Sequence, residues 1–328
     1  MKRFFLLSCV MLMIFQCNPI VSSAVQERKI KFEITDSRTI YKVGEEIQLK
    51  VKGVSASEMK KLKWYSSNKK VAVVSGGAVT VKRAGKCRII VKNTKGVKAY
   101  FDFWAVNYTI PSSTEENVVT VSVQNASGKT YSYTIYNQDM KKYKKYREYL
   151  DNHGCAVSSL TAFLSSRVSE CAKYTPEQVI EKVEKSVLPR YVVERNYSKR
   201  MSLQMPISMF GISTVLKNYN IRHKYVYSFS KERAENDLTN HLIKGKPAFI
   251  IVKRGKWAYS YHTMLLIGMT PSGKAIVADS ANRKWAGKNQ RIKYAKVSEL
   301  VKYMWSSQRG NNAYWNGAAY NGGYILVD

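Results

Sequence analysis

The chain has 328 residues, 45% of them apolar, and carries 54 Lys and Arg against 23 Asp and Glu, a formal charge of +31. That length and apolar share exclude a short disulfide scaffold and a disordered chain, and leave room for two ordinary domains. Because like charges repel, the positive excess implies an acidic setting: wall-polymer phosphates, anionic lipid headgroups, nucleic acid or acidic protein. Composition does not choose among them.

Lys2 and Arg3 precede an apolar run from Phe4 to Phe15, then NPIVSSA, with small residues at Ser22 and Ala24. This order is that of a secretory signal, so residues 1–24 are expected to be a signal peptide cleaved after Ala24. The mature protein is then secreted or associated with the bacterial cell surface. Cys17 raises a lipoprotein alternative, against which Gln16 stands where a small residue is expected. No later run is long and apolar enough for a transmembrane helix. Removing the signal leaves Cys87, Cys155 and Cys171. An odd number in an exported chain leaves at least one free thiol.

Residues 25–106 are all β in pattern. KIKFEI, EIQLKVKGV, KLKWYSS, VAVVS, GAVTVKRAG, CRIIVKN and VKAYFDFWAV alternate and are separated by turn residues at sandwich spacing. The VGE-LKV opening, the W-SS strand, VAVVS, G-VT and AGKCRI, in this order over residues 41–92, resemble the group 2 bacterial immunoglobulin-like domain. The resemblance implies a spacer or adhesive module, with Trp64 in its core and Gly85 in a turn. Cys87 is expected to be a small buried strand residue.

Residues 107–129, polar with Pro and Ser, are expected to be a linker with room for one strand. A second domain then spans 130–328. After Cys155, apolar residues fall at 156, 157, 160, 163, 164 and 168, the spacing of a helix with one buried face. Thr175 and Pro176 start a second helix, with Thr as cap and Pro at the first position. GISTVLKNYNI and KERAENDLTNHLIKG are two more, the latter closed by Gly245. Strands PAFIIVKR, HTMLLIGM, KAIVADS and GGYILVD follow, an α+β order.

Cys155 stands in the first turn of its helix, where the dipole favours a thiolate. Taken alone, a small buried hydrophobe is the commoner state of such a cysteine. Cysteine chemistry also needs a base, and the chain has four histidines. His153 reaches Cys155 only by a local twist. His223 has the pattern of an exposed strand residue, and His241 that of a helix-surface residue. His262 opens a strand that turns at TPSG and returns toward Asp279. A turn centred between Pro271 and Ser272 sets His262 opposite Ala281, with Asp279 two positions away on the same face. A carboxylate there would fix the imidazole tautomer. No His or Cys pair has metal-ligand spacing and no glycine-rich phosphate loop occurs, so neither metal nor other cofactor is expected. Tyrosines and lysines interleave in MKKYKKYREYL, a pattern expected of a solvated amphipathic face, and no nucleic-acid partner is expected from it.

The order YTIYNQD, HGCAVSSLTAFLSS, YTPEQVIEKV, GISTVLKNYNI, IKGKPAFIIV and YHTMLLIGMTPSGKAIVADSA, over about residues 131–285, resembles the papain-like cysteine peptidases of the bacteriocin-processing, double-glycine type, in their exported branch. The resemblance implies Cys155 as nucleophile, His262 as base, Asp279 as orienting acid and Gln138 as a side-chain donor to the oxyanion. Tyr261 stands where the family usually has Gly, and Ser280 where Pro is common. The fold expected is therefore multidomain, an all-β immunoglobulin-like sandwich followed by an α+β papain-like cysteine peptidase domain. The function expected is hydrolysis of a peptide or protein substrate through a thioester. Cleavage of cell-wall peptides or amides is one alternative, with anionic wall polymers meeting the basic surface. A catalytically inactive surface-binding or adhesion protein is the other.

Overall fold

The structure, a computed structural model, describes residues 33–187, 209–306 and 322–328, apart from Ser37, Met140, Glu148, Tyr149, Asn152, His153, Ser260 and 282–289. The expected signal peptide, Cys17 and His153 lie outside the described residues.

Short alternating runs become strands β1 (Glu33–Thr35), β2 (Ile40–Lys42), β3 (Glu46–Gln48), β4 (Lys50–Lys52), β5 (Lys63–Ser66), β6 (Ala72–Ser75), β7 (Ala78–Val81), β8 (Gly85–Lys92) and β9 (Lys98–Thr109). One helical turn, α1 (Ala56–Met59), sits between β4 and β5, started by a Ser55–Glu58 capping box. The sheet β3-β7-β6 faces the sheet formed by β5, β8 and β9, with β2 parallel to β9. Inward residues of both, among them Ile47, Val79, Cys87, Ile89 and Phe103, form one core. Cys87 is buried, as its alternation implies. Trp64 is only half-buried at the margin of that core. Gly85, expected in a turn, is instead the first residue of β8. Its φ is +146°, and a Cβ there would meet Val71 at 2.8 Å.

The expected linker holds the end of one strand and the whole of another. Strand β9 runs on to Thr109 and pairs with β10 (Val118–Gln124), which pairs with β11 (Thr130–Tyr136). One sheet therefore continues in the order β11-β10-β9-β8-β5. Val119, Val121 and Val123 point inward and are buried, while Thr120 faces solvent. The period of two is present in the sequence. The polar and Pro-containing residues 110–117 before it carry no such period.

Helix α2 (Cys155–Arg167) lies between this sheet and a second one. The second sheet is antiparallel, in the order β12-β17-β13-β14-β15-β16, with β12 His223–Val226, β13 Ala248–Val252, β14 His262–Met269, β15 Lys274–Ala278, β16 Ile292–Lys296 and β17 Tyr324–Val327. The last strand inserts between β12 and β13. Helix α2 is buried from Ala156 to Leu164 on every side, not on one face as expected. Its polar residues are small, and two bond to backbone: Ser159 Oγ donates to Thr263 O at 3.2 Å, and Thr161 Oγ1 to Val157 O at 2.8 Å. Helix α3 (Pro176–Val187) starts with a reciprocal Thr175–Gln178 bond pair, and α4 (Met209–Asn218) follows. Helices α5 (Lys231–Leu242) and α6 (Val297–Tyr303) cover the opposite face of the second sheet through Leu238, Leu242, Leu300 and Val301. The described residues are thus mostly strand with some helix, and no described helix is long and apolar enough to cross a membrane.

Strand β10 sets where the second half can be cut. Each of its three inward valines contributes about 1.5–3 kcal/mol on burial, against a typical domain stability of roughly 5–15 kcal/mol. A fragment beginning at residue 112 is expected to melt cooperatively. One beginning at residue 130 lacks β10 and is expected to show no cooperative transition by circular dichroism.

Candidate active site

Cys155 opens α2 because the chain before it comes unusually close to itself. Gly154 is the N-cap and accepts a bond from Ser158 N–H at 2.8 Å. A Cβ on Gly154 would lie 2.4 Å from Leu150 O and 2.8 Å from Leu150 Cα. Only glycine fits that approach, and it offers no side chain to cap the first turn. The half-buried Cys155 thiol accepts from the Thr263 backbone N–H at 3.5 Å, at the start of β14. Helix and strand thus meet at the Cys155 thiol.

His262 is fully buried, and its Nε2 lies 2.7 Å from Asp279 Oδ1. A β-bulge makes this contact possible. Next to the turn, Gly268 faces Ile276, one residue off the expected register. The register shifts between Leu266 and Gly268, and beyond it Leu266 faces Val277 and Leu265 faces Ala278, as expected. Had the register at the turn continued, Asp279 would share the face of Leu265, which packs toward α2, and not the face of His262. The extra residue returns Asp279 to the side of His262.

Four residues to which the sequence assigns no role, Lys293, Ala281, Ser280 and Arg291, surround this pair. Lys293 on β16 is buried, with its Nζ 2.6 Å from Asp279 Oδ2. The Ala281 backbone N–H donates to Asp279 Oδ1 at 2.9 Å. Ser280 binds Gln138 twice: its carbonyl accepts from Gln138 N–H at 3.0 Å, and its Oγ donates to Gln138 Oε1 at 2.9 Å. With Oε1 so held, Gln138 Nε2 turns toward Asp151, donating to its carbonyl at 3.1 Å, four residues before Cys155. Each Gln138 amide has two N–H groups, and this bond uses one. Buried Arg291 also donates to the Ser280 carbonyl. The alternation of KYA after Ile292 gives no sign that Lys293 is buried, because both faces of β16 are covered at that end.

The long insertion between Gln138 and Cys155 folds back on its tyrosines. Tyr143, Tyr146 and Leu150 are buried in the core around α2, contrary to the solvated face expected for this segment. Glu177 at the start of α3 accepts from the backbone N–H groups of Lys144 and Tyr146. Two other histidines also differ from expectation. His241 is tied by Nε2 to Val327 O at 2.9 Å, and burial lowers its pKa. His223 is half-buried, between Ser213 Oγ at 2.7 Å and Ile221 O at 2.8 Å.

Charge is shared through the site. Burial alone would lower the pKa of His262, but the charge and hydrogen bond of Asp279, with the Cys155 thiol, push it up to about 9. Burial alone would raise that of Cys155, but the His262 hydrogen bond and charge and the Thr263 N–H bring it down. Against its own burial, Asp279 is held far below the carboxylate range by His262 and Lys293. The arrangement suits a thiolate beside an imidazolium. Among the described residues, no three His, Cys, Asp or Glu side chains gather as a metal site.

A family model described as "Peptidase_C39 like family" matches residues 119–311, and one described as "Bacterial Ig-like domain (group 2)" matches residues 31–100. No curated protein matches the chain. A crystal structure of an EHEC O157:H7 intimin mutant is 21% identical over 22% of this chain and 39% of its own length, with a TM-score of 0.19.

The paired shifts predict a reactivity plateau. Alkylation of Cys155 by iodoacetamide is expected to be much faster than that of the two buried thiols, Cys87 and Cys171; burial also pushes up the pKa of Cys171. Below the plateau the thiolate is protonated and the rate falls. Above about 9 His262 loses its proton, and the ion pair gives way to an ordinary thiolate. Peptide mapping of the labelled protein across pH checks both.

Proposed function

Since the chain belongs to the Peptidase_C39 like family, with a bacterial Ig-like domain before it, we propose that it is an exported thiol peptidase of papain-like arrangement. In this reading Cys155 is the nucleophile, His262 the acid and base, Asp279 the group that orients it, and Gln138 an oxyanion donor. The observation that carries the reading is the buried His262–Asp279 contact of 2.7 Å beside a thiol whose pKa His262 lowers.

The chemistry runs in two halves. The Cys155 thiolate attacks the substrate carbonyl carbon while the imidazolium of His262 holds the proton. The carbonyl oxygen becomes an oxyanion, facing Gln138 Nε2 and the first-turn N–H groups of α2. The C–N bond then breaks, His262 gives its proton to the leaving amine, and an acyl thioester remains. Water attacks that thioester with its proton passing to His262, and the thiolate leaves. Asp279 keeps one imidazole tautomer and steadies its charged form without taking the proton.

The signal-like N-terminus and an Ig-like domain, a type found on exported bacterial proteins, support secretion or surface attachment. The charge of +31 favours an acidic polymer or acidic protein beside the substrate. Cleavage of wall peptides or amides is the second reading, and the same charge favours it.

Six substitutions test the roles. Cys155→Ala is expected to fold and to abolish hydrolysis of a peptide library, whereas Cys87→Ala and Cys171→Ala keep most of it. Near-parental turnover by Cys155→Ala would refute the mechanism. Gln138→Ala is expected to lower turnover roughly 100–1000-fold, the cost of one oxyanion donor, while leaving Cys155 alkylation unchanged, since alkylation forms no oxyanion. Ser280→Ala frees Gln138 Oε1 and is expected to produce a weaker form of the same pattern. Asp279→Asn is expected to alter the pH–rate profile as well as the rate.

A further inference from the structure

Asp279 presents two oxygens, and the proposed mechanism uses one. Oδ1 takes His262 Nε2 and the Ala281 N–H. Oδ2 takes the ammonium of Lys293 at 2.6 Å. Lys293 is 4% exposed and Asp279 1%. Lys293 stands opposite Val277 on the neighbouring strand, so it reaches Asp279 diagonally on the face shared with His262. Burying an ammonium is costly, and a neutral donor would satisfy a carboxylate oxygen at lower cost. The presence of a full charge therefore calls for a reason.

Charge counting supplies one. A thiolate, an imidazolium and a carboxylate in one buried cluster sum to one net negative charge. That deficit draws in a further proton, which lands on Cys155 and leaves a neutral thiol. Arg291 also feels Asp279, but Asp139 acts on it as a second carboxylate, so that pair adds no net charge, and a fixed cation on Asp279 brings the sum to zero with the thiolate in place. We propose that Lys293 is a positioning residue of this site, holding the Asp279 carboxylate square to His262 and neutralising the ionised cluster so that Cys155 stays a thiolate. This rests on the peptidase reading above. The other charged or titratable groups facing the cluster are Cys155 from α2, His262 from β14 and Arg291 from the approach to β16, with Asp139 and Tyr143 acting on Arg291.

Removing a nearby cation raises the pKa of every group that feels it. In the full-length mature protein, Lys293→Met is expected to move the whole pH profile upward. Both the onset of Cys155 alkylation by iodoacetamide and the titration of His262, followed by NMR of labelled histidine, should rise by roughly one pH unit, the shift one close charge produces. On the acid limb that is about a tenfold slower alkylation at fixed pH. Lys293→Arg keeps the charge and is expected to restore the parental profile in large part. Lys293→Gln keeps a hydrogen-bond donor without the charge and should behave like Lys293→Met, so it stands in if the methionine variant does not fold. A folded Lys293→Met or Lys293→Gln with the parental profile overturns this proposal alone. A parent protein whose Cys155 alkylates like an ordinary thiol, with no change in His262→Ala, overturns both this proposal and the peptidase reading.

Discussion

A carboxylate buried at 1% exposure stays ionised only if charge or hydrogen bonds meet it from its own surroundings. Asp279 has such charge on both sides, His262 at 2.7 Å and Lys293 at 2.6 Å. Strands β14 and β16 supply His262 and Lys293, and Asp279 directly follows β15, so the site depends on the register of these three adjacent strands. One bulge at Ile267 sets that register. An arrangement of this kind is stiff, because moving any one strand by a residue would leave a buried charge without its partner.

Helix α2 transmits the same constraint to the thiol. It is enclosed between two sheets and cannot slide without disturbing both cores. Gly154 fixes where it begins, and Ser159 ties it to Thr263, the neighbour of His262. The Cys155 thiol is thus held beside His262 by the packing of α2 and by hydrogen bonds to the Thr263 backbone. Ser280 extends the coupling to Gln138, since consecutive residues orient the imidazole and the amide. In the proposed mechanism these are the two halves of transition-state stabilisation, and one short segment governs both.

The strand pair β10–β11 joins the Ig-like part to the rest through a shared sheet. Its inward valines belong to the core that holds α2, while β10 also pairs with the end of β9. The Ig-like domain is thereby attached by hydrogen-bonded backbone as well as by chain connection.

The sequence by itself determined the local matters. Alternation fixed most strands of the first domain, and the Thr175–Pro176 cap fixed a helix start. The Gly154–Cys155 pair at the head of an apolar helical run marked the thiol. Spacing around TPSG placed His262 and Asp279 on one face, but did not show the bulge that preserves this, of which Gly268 inside a strand pattern is the one local sign. What only the tertiary structure decided is burial from outside the local pattern. Tyr143 and Tyr146 look like a solvated face until the core around α2 accepts them, and α2 looks amphipathic until a second sheet covers its serines. Lys293 is the sharpest case. A lysine in an alternating strand is read as exposed, because burying its charge is costly. Here a carboxylate fourteen residues away in sequence offsets that cost, and pairing across strands cannot be seen from either residue alone.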